Sequence, residues 1–168
     1  MKALIPLLAG IVVTGCREVE KLQDATAETR LEIHVIASYH GRVALDLTDQ
    51  ASGRSEMIIR SQADYEGFVT KIPKRQITRT KPAPPSEDPL LKHPSIDFEN
   101  SMMLVAIRSD SMYVIPKFKS ITSDKNGLLA RITDPELGDT KALNQQEGIG
   151  TYQAVIIPHR EGSIKFIR

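Results

Sequence analysis

A mainly β domain with a single helix is the fold class this chain predicts, built as an antiparallel rolled sheet or a two-layer β structure of about eight strands. Three observations lead there. Apolar side chains recur at every second position from Leu31 onward, the period of a strand with one buried face. Residues 102–107 are continuously apolar, as a central strand covered on both faces requires. Only one window, about 61–72, changes to a helical period. An α+β arrangement is the alternative.

The chain opens on a cationic Met1-Lys2, continues through a wholly uncharged and mostly apolar stretch, and closes it with Val13-Thr14-Gly15-Cys16. Positive start, apolar middle and small residues at a cut point are the order of a secretory signal. Spanning a bilayer takes about 20 apolar residues, and here charge returns at Arg17. The last four residues resemble the lipobox of bacterial lipoproteins, in which Val13, Thr14 and Gly15 precede the acylated Cys16. That resemblance implies residues 1–15 as signal peptide and a mature chain starting at Cys16 with diacylglyceryl and N-acyl (palmitate-type) chains. Arg17 after the cysteine, rather than Asp, favours the outer membrane by the same resemblance, with the inner membrane as the alternative. The lone cysteine leaves no internal disulfide to form. Residues 16–30 are charged and polar and read as a lipidated tether. Residues 31–168 read as one β-rich domain.

Within that domain Leu31, Ile33, Val35 and Ala37 share one strand face. Tyr39-His40-Gly41 reads as a turn into Val43, Leu45 and Leu47. A second turn at 49–53 leads to Met57, Ile58 and Ile59, so the three runs predict a meander. Ser61 caps the helix, with Asp64 three residues on. Tyr65, Phe68, Val69 and Ile72 form its apolar stripe, and Pro73 ends it. A Pro-rich loop over 73–95 follows, and its start carries the cations Lys71, Lys74, Arg75, Arg79 and Lys81. Loops of that length are functional or irregular, so it reads either as a docking loop for anionic groups or as a solvated insertion. After the apolar strand 102–107, residues 113–121 alternate around Pro116, which is confined to an edge or a bulge. Asp124-Lys125-Asn126-Gly127 is a hairpin turn into Leu128, Ala130 and Ile132. Residues 134–150 form a polar connection, 152–157 a buried strand and 163–167 the closing one.

Removing the leader takes away only Lys2 among the charges, leaving 21 acidic side chains and as many basic ones. Such balance argues against a nucleic-acid partner. Four Tyr, four Phe and no Trp leave little material for stacking platforms. Four histidines, His34, His40, His93 and His159, are spread along the chain without metal-ligand spacing. Glu32 with His34 shares a strand face, as does Asp97 with Glu99, but polar strand faces are ordinarily solvent faces. No nucleophile elbow, phosphate loop, dinucleotide fingerprint or calcium loop occurs. The expectation is therefore no enzyme, no metal and no cofactor beyond the covalent lipid on Cys16.

From about Ile58 onward, the order of features resembles the C-terminal domain of the PrcB family, bacterial lipoproteins associated with protease complexes. The resemblance lies in the apolar strand and Ser-capped helix from Ile58 to Phe68, and in Pro94-Ser95-Ile96-Asp97-Phe98 leading into the apolar strand. It continues through Tyr113-Val114-Ile115 and through Gly150-Thr151-Tyr152-Gln153-Ala154-Val155-Ile156-Ile157-Pro158 before the last strand. The chain departs from the family pattern at Ser109-Asp110-Ser111, where a glycine-rich turn is expected, and in its long proline-rich insertion. The resemblance implies an accessory role, binding another envelope protein such as a protease, and supplies no catalytic residues. The strand around Pro116, with Tyr113, Ile115 and Phe118, is the docking edge the sequence suggests. The competing expectations are a small periplasmic hydrolase or metal-dependent enzyme using the histidines, and a structural lipoprotein that binds lipid or cell wall through its basic loop.

Overall fold

The computed structural model describes residues 30–46, 53–78, 81–111, 113–125, 127–135 and 148–168. The leader, the lipobox Val13-Thr14-Gly15-Cys16, nearly all of the tether and Arg79 lie outside them. In chain order the elements are β1 (Leu31–Glu32), β2 (Ala37–Ala44), β3 (Arg54–Ile59), α1 (Gln62–Thr70), a 3-10 turn (Pro89–Lys92), β4 (Ser101–Arg108), β5 (Lys117–Asp124), β6 (Gly127–Thr133), β7 (Ile149–Pro158) and β8 (Ser163–Ile167). Among the described residues the fold is mainly β with one helix, as the sequence predicts. Two four-stranded sheets form, in the orders β1-β5-β6-β8 and β2-β7-β4-β3, and neither closes into a barrel. All pairs are antiparallel except β6 with β8.

The continuous apolar run becomes β4, and every one of its residues is buried. Alternation explains why. Met103, Val105 and Ile107 face a layer made by α1 and the proline-rich loop, packing with Tyr65, Phe68, Val69 and Leu90. Met102 and Leu104 face the other sheet, where Ile121, Leu128 and Ala130 complete a second core. Strand β7 is divided the same way, with Tyr152, Ala154 and Ile156 toward the helix and Val155 and Ile157 toward the sheet. The molecule is thus three layers deep at β4 and β7.

Helix α1 starts where the cap predicts. The Ser61 hydroxyl accepts from the Asp64 backbone N–H at 3.1 Å and donates to its carboxylate at 2.6 Å. Phe68 meets the Tyr152 ring edge-on at 5.2 Å between centroids. Lys71 closes the helix, and Ile72 remains buried just beyond it.

Several connections differ from the sequence expectation. The expected turn at Tyr39-His40-Gly41 is the middle of β2, which runs straight through Gly41. Glycine stands there because a neighbouring carboxylate fills the space a side chain would need, not because the chain reverses. The predicted meander is absent, for β2 pairs with β7 and β3 with β4. Residues 33–36 instead carry the chain from one sheet to the other, Ile33 N–H bonding Ile121 O and Ile36 N–H bonding Ile156 O, each at 2.8 Å. Strand β8 likewise crosses over to lie parallel to β6 rather than folding back on β7. The β5–β6 hairpin forms as expected, Asp124 opposite Gly127.

At one end of the sandwich a balanced charge cluster joins the sheets. The Arg168 guanidinium bonds Glu56 at 2.6 Å, both oxygens of Asp134 at 2.7 and 2.9 Å, and the Ile107 carbonyl at 2.9 Å. Arg54 reaches Asp134 at 3.0 Å, and buried Arg108 holds Asp110 and the Pro135 carbonyl. Burial alone raises the Asp110 carboxyl, but Arg108 and Arg54 outweigh it and hold the group below its ordinary range. Strand β1 lies at the opposite end, Leu31 opposite Ser123 beside the β5–β6 turn.

Candidate binding cleft

Strand β2 is an edge strand, and its outward backbone is the starting point. The Leu45 N–H bonds Gly148 O across the ladder at 2.9 Å, whereas the Ala44 N–H turns outward to Lys71 O at 2.7 Å. Antiparallel alternation then aims the amides of Arg42, His40 and Ser38 away from β7 as well.

The proline-rich loop stands beside that edge, and it is folded. Gln76 N–H bonds Pro84 O and Ser86 N–H bonds Lys74 O, both at 2.9 Å, around a bridge between Arg75 and Pro85. The Arg75 guanidinium clamps Ala83 O at 2.7 Å. Asp88 then caps the 3-10 turn, accepting from Leu90 N–H at 3.0 Å, with Pro89 in the first position where its missing N–H costs nothing. Leu90 is driven wholly into the helix-side core and anchors the loop.

Between loop and strand lies an open cleft of about 540 Å³, walled by His40, Gly41 and Arg42 on β2 and by Arg75, Glu87 and Asp88 on the loop. Its inner corner is Asp88. One carboxylate oxygen accepts from the fully buried Tyr152 hydroxyl at 2.7 Å. The other is buried against Gly41 with no hydrogen-bond partner, and any Cβ at position 41 would collide with it. Burial pushes the Asp88 carboxyl up from its ordinary value, against the opposing pull of Tyr152, the Leu90 amide and nearby His40. Burial and then the Asp88 bond push the Tyr152 hydroxyl far up, so it stays protonated at any physiological pH. Both groups are tied into the wall, leaving the cleft to bind through backbone edges and through Arg42, Arg75 and Glu87. Arg42 is itself held, donating to Ile77 O at 3.4 Å and lying 5.8 Å from the Tyr113 ring centre.

Comparisons with family models, curated proteins and solved structures returned no match.

The residues singled out in the sequence are scattered. Strand β5 begins at Lys117, one residue after Pro116, so Tyr113 and Ile115 precede it. Their segment folds onto β7, where the Thr151 hydroxyl donates to Val114 O at 2.5 Å. Phe118 packs into the inter-sheet core. Its N–H bonds the Gln153 side chain at 2.7 Å, and the same amide donates to Ser38 at 3.0 Å, tying β5, β7 and β2 together. Of the basic set, Lys71 pairs with Asp46 at 3.7 Å, Arg75 braces the loop, and Lys74 and Lys81 are exposed. His40 borders the cleft while His34 and His93 are exposed elsewhere. Asp97 accepts from the Asn100 side chain at 2.8 Å and from two backbone amides, a turn closure rather than a pair with Glu99, and these bonds lower its pKa.

The sequence does not point to Asp88, Gly41 or Tyr152 as site residues, although Gly41 falls in the expected turn and Tyr152 in the stretch that resembles the PrcB family. The Asp88-Pro89 dipeptide carries a legible start signal for a helical turn inside the loop. Gly41 inside an alternating run signals close backbone approach as readily as a turn. Nothing local marks Tyr152.

Proposed function

We propose that this chain is a lipid-anchored, non-enzymatic accessory protein of the bacterial envelope that binds an extended segment of another envelope protein along β2. The observation that carries the binding half is the outward-facing backbone of Ser38, His40 and Arg42, which has no strand partner among the described residues and is walled by an ordered loop. An added strand satisfies such an edge through its own backbone and takes specificity from the side chains around it. Arg42, Arg75 and Glu87 offer charges of both signs for that purpose. The anchoring half is supported by the leader and lipobox ending at Cys16, and Arg17 after it favours the outer membrane. The resemblance to the PrcB family supports an accessory role, with a protease as one class of partner.

Proline tests the edge without touching the ladder, because the His40 N–H faces outward. Detergent-solubilised envelope is passed over immobilised native chain and over His40→Pro. At least a tenfold loss of the recovered partner, with an unchanged thermal midpoint, is expected. Equal recovery by the two chains counts against strand addition at β2. Turnover of any hydrolase substrate that disappears in His40→Ala would favour an enzyme instead.

A further inference from the structure

Four large apolar side chains are exposed among the described residues: Leu31 at 65%, Ile36 at 53%, Val35 at 37% and Tyr113 at 58%. Tyr113 is flanked by Arg42. The other three fall within one short stretch, immediately after the tether. Isolated exposed aliphatics are ordinary, but a run of them at the point of chain entry is a surface. The backbone of this stretch is pinned at both ends, by Ile33 N–H to Ile121 O and by Ile36 N–H to Ile156 O. Ile33 between them is buried, while Leu31, Val35 and Ile36 stay exposed on either side of it.

We infer that Leu31, Val35 and Ile36 dock the domain onto the surface of the bilayer that holds its lipid anchor. This rests on acylation of Cys16. Residues 17–30 can extend to roughly 50 Å, so the anchor leaves slack and does not itself force contact. It does keep the bilayer at an effective concentration in the mM range, at which a few aliphatic side chains suffice for interfacial binding. Arg30 and Glu32 flank Leu31 in the chain with opposite charges, and Lys125, Arg160 and Glu161 line a second cleft with Ser123, which stands opposite Leu31. The contact is carried by the aliphatic side chains. It also sets the direction of everything else. Strand β2 runs from this end to Ala44, bonded to Lys71 at the far end, so the cleft lies along the side that leads away from the membrane, with Lys71 and the start of the basic loop at the far end.

The test uses the lipidated chain in vesicles of phosphatidylethanolamine and phosphatidylglycerol. Its one native cysteine carries the lipid, so Ile36→Cys supplies the sole free thiol for a nitroxide label, and Lys74→Cys supplies a reference on the far loop. The label at 36 is expected to be several-fold more accessible to oxygen, relative to a water-soluble nickel chelate, than the label at 74. Val35→Cys should behave as 36 does. Equal aqueous accessibility at 36 and 74 in protein whose mass shows the acyl chains overturns the docking alone. Shielding at 36 that persists in detergent without vesicles assigns the patch to the tether or to a second copy, and also overturns it. An unmodified Cys16 with an aqueous label at 36 overturns anchor and docking together.

Discussion

Asp88 is the residue on which the cleft depends, because it caps the 3-10 turn, receives the Tyr152 hydroxyl and fills the space above Gly41. Burial raises its pKa in the folded chain. The native state therefore holds this proton more readily than the unfolded chain. That contribution to stability is complete below the ordinary carboxylate value of 3.8 and is lost as pH rises through the folded value. Asp88→Asn keeps an oxygen for Tyr152 and Leu90 while removing the charge. Relative to the native chain, the variant should therefore gain stability between pH 4 and pH 7, read as a difference in urea midpoints. A difference that stays constant over that range would show that ionisation of Asp88 is not resisted. Asp97 and Asp110 shift the other way and act equally in both chains, so they cancel in the comparison.

Helix α1 tests the same physics at the scale of an element. Its cap is Ser61 and its weak point is Gly67, which has open space where a Cβ would go. Ser61→Ala should cost about 1 kcal/mol and Gly67→Ala should gain up to about 1 kcal/mol, both measured by chemical denaturation; a loss at 67 would mean the helix surface there is covered. These two positions were legible because helix signals are local. Some strands were legible too, since alternation marks β6 and continuous apolarity marks β4. What alternation does not encode is partnership. Nothing near Ala37 says that it will meet Ile156, or that Ser163 will lie parallel to Gly127. The meander was inferred from turn residues, and Gly41 misled because close approach and chain reversal call for the same amino acid. The proline-rich loop hid its order for a related reason. Its stabilising bonds are backbone pairs between Lys74 and Ser86 and between Gln76 and Pro84, which composition cannot show.

Across the described residues, two cores and a charge cluster hold three layers together. Arg168 is the tie at the end away from Leu31, with its side chain only 14% exposed and its partner Asp134 only 7%. Arg168→Ala leaves Asp134 with Arg54 alone and should cost about 2–3 kcal/mol. An unchanged unfolding free energy would show that the sheets are held by apolar packing without it. The end where the chain enters carries the aliphatic patch, while the β2 edge and the folded loop lie along the side that leads away from it. The central claim is that this free edge meets another envelope protein while the chain is moored through Cys16. Placing a photo-crosslinking amino acid at Ser38 in the native envelope, irradiating, and fractionating the products tests it most directly. A discrete adduct with a second protein in the membrane fraction, absent when the same group stands at exposed Glu99, is the predicted result. No adduct above that control, or a product found only in the cytosolic fraction, would contradict the account.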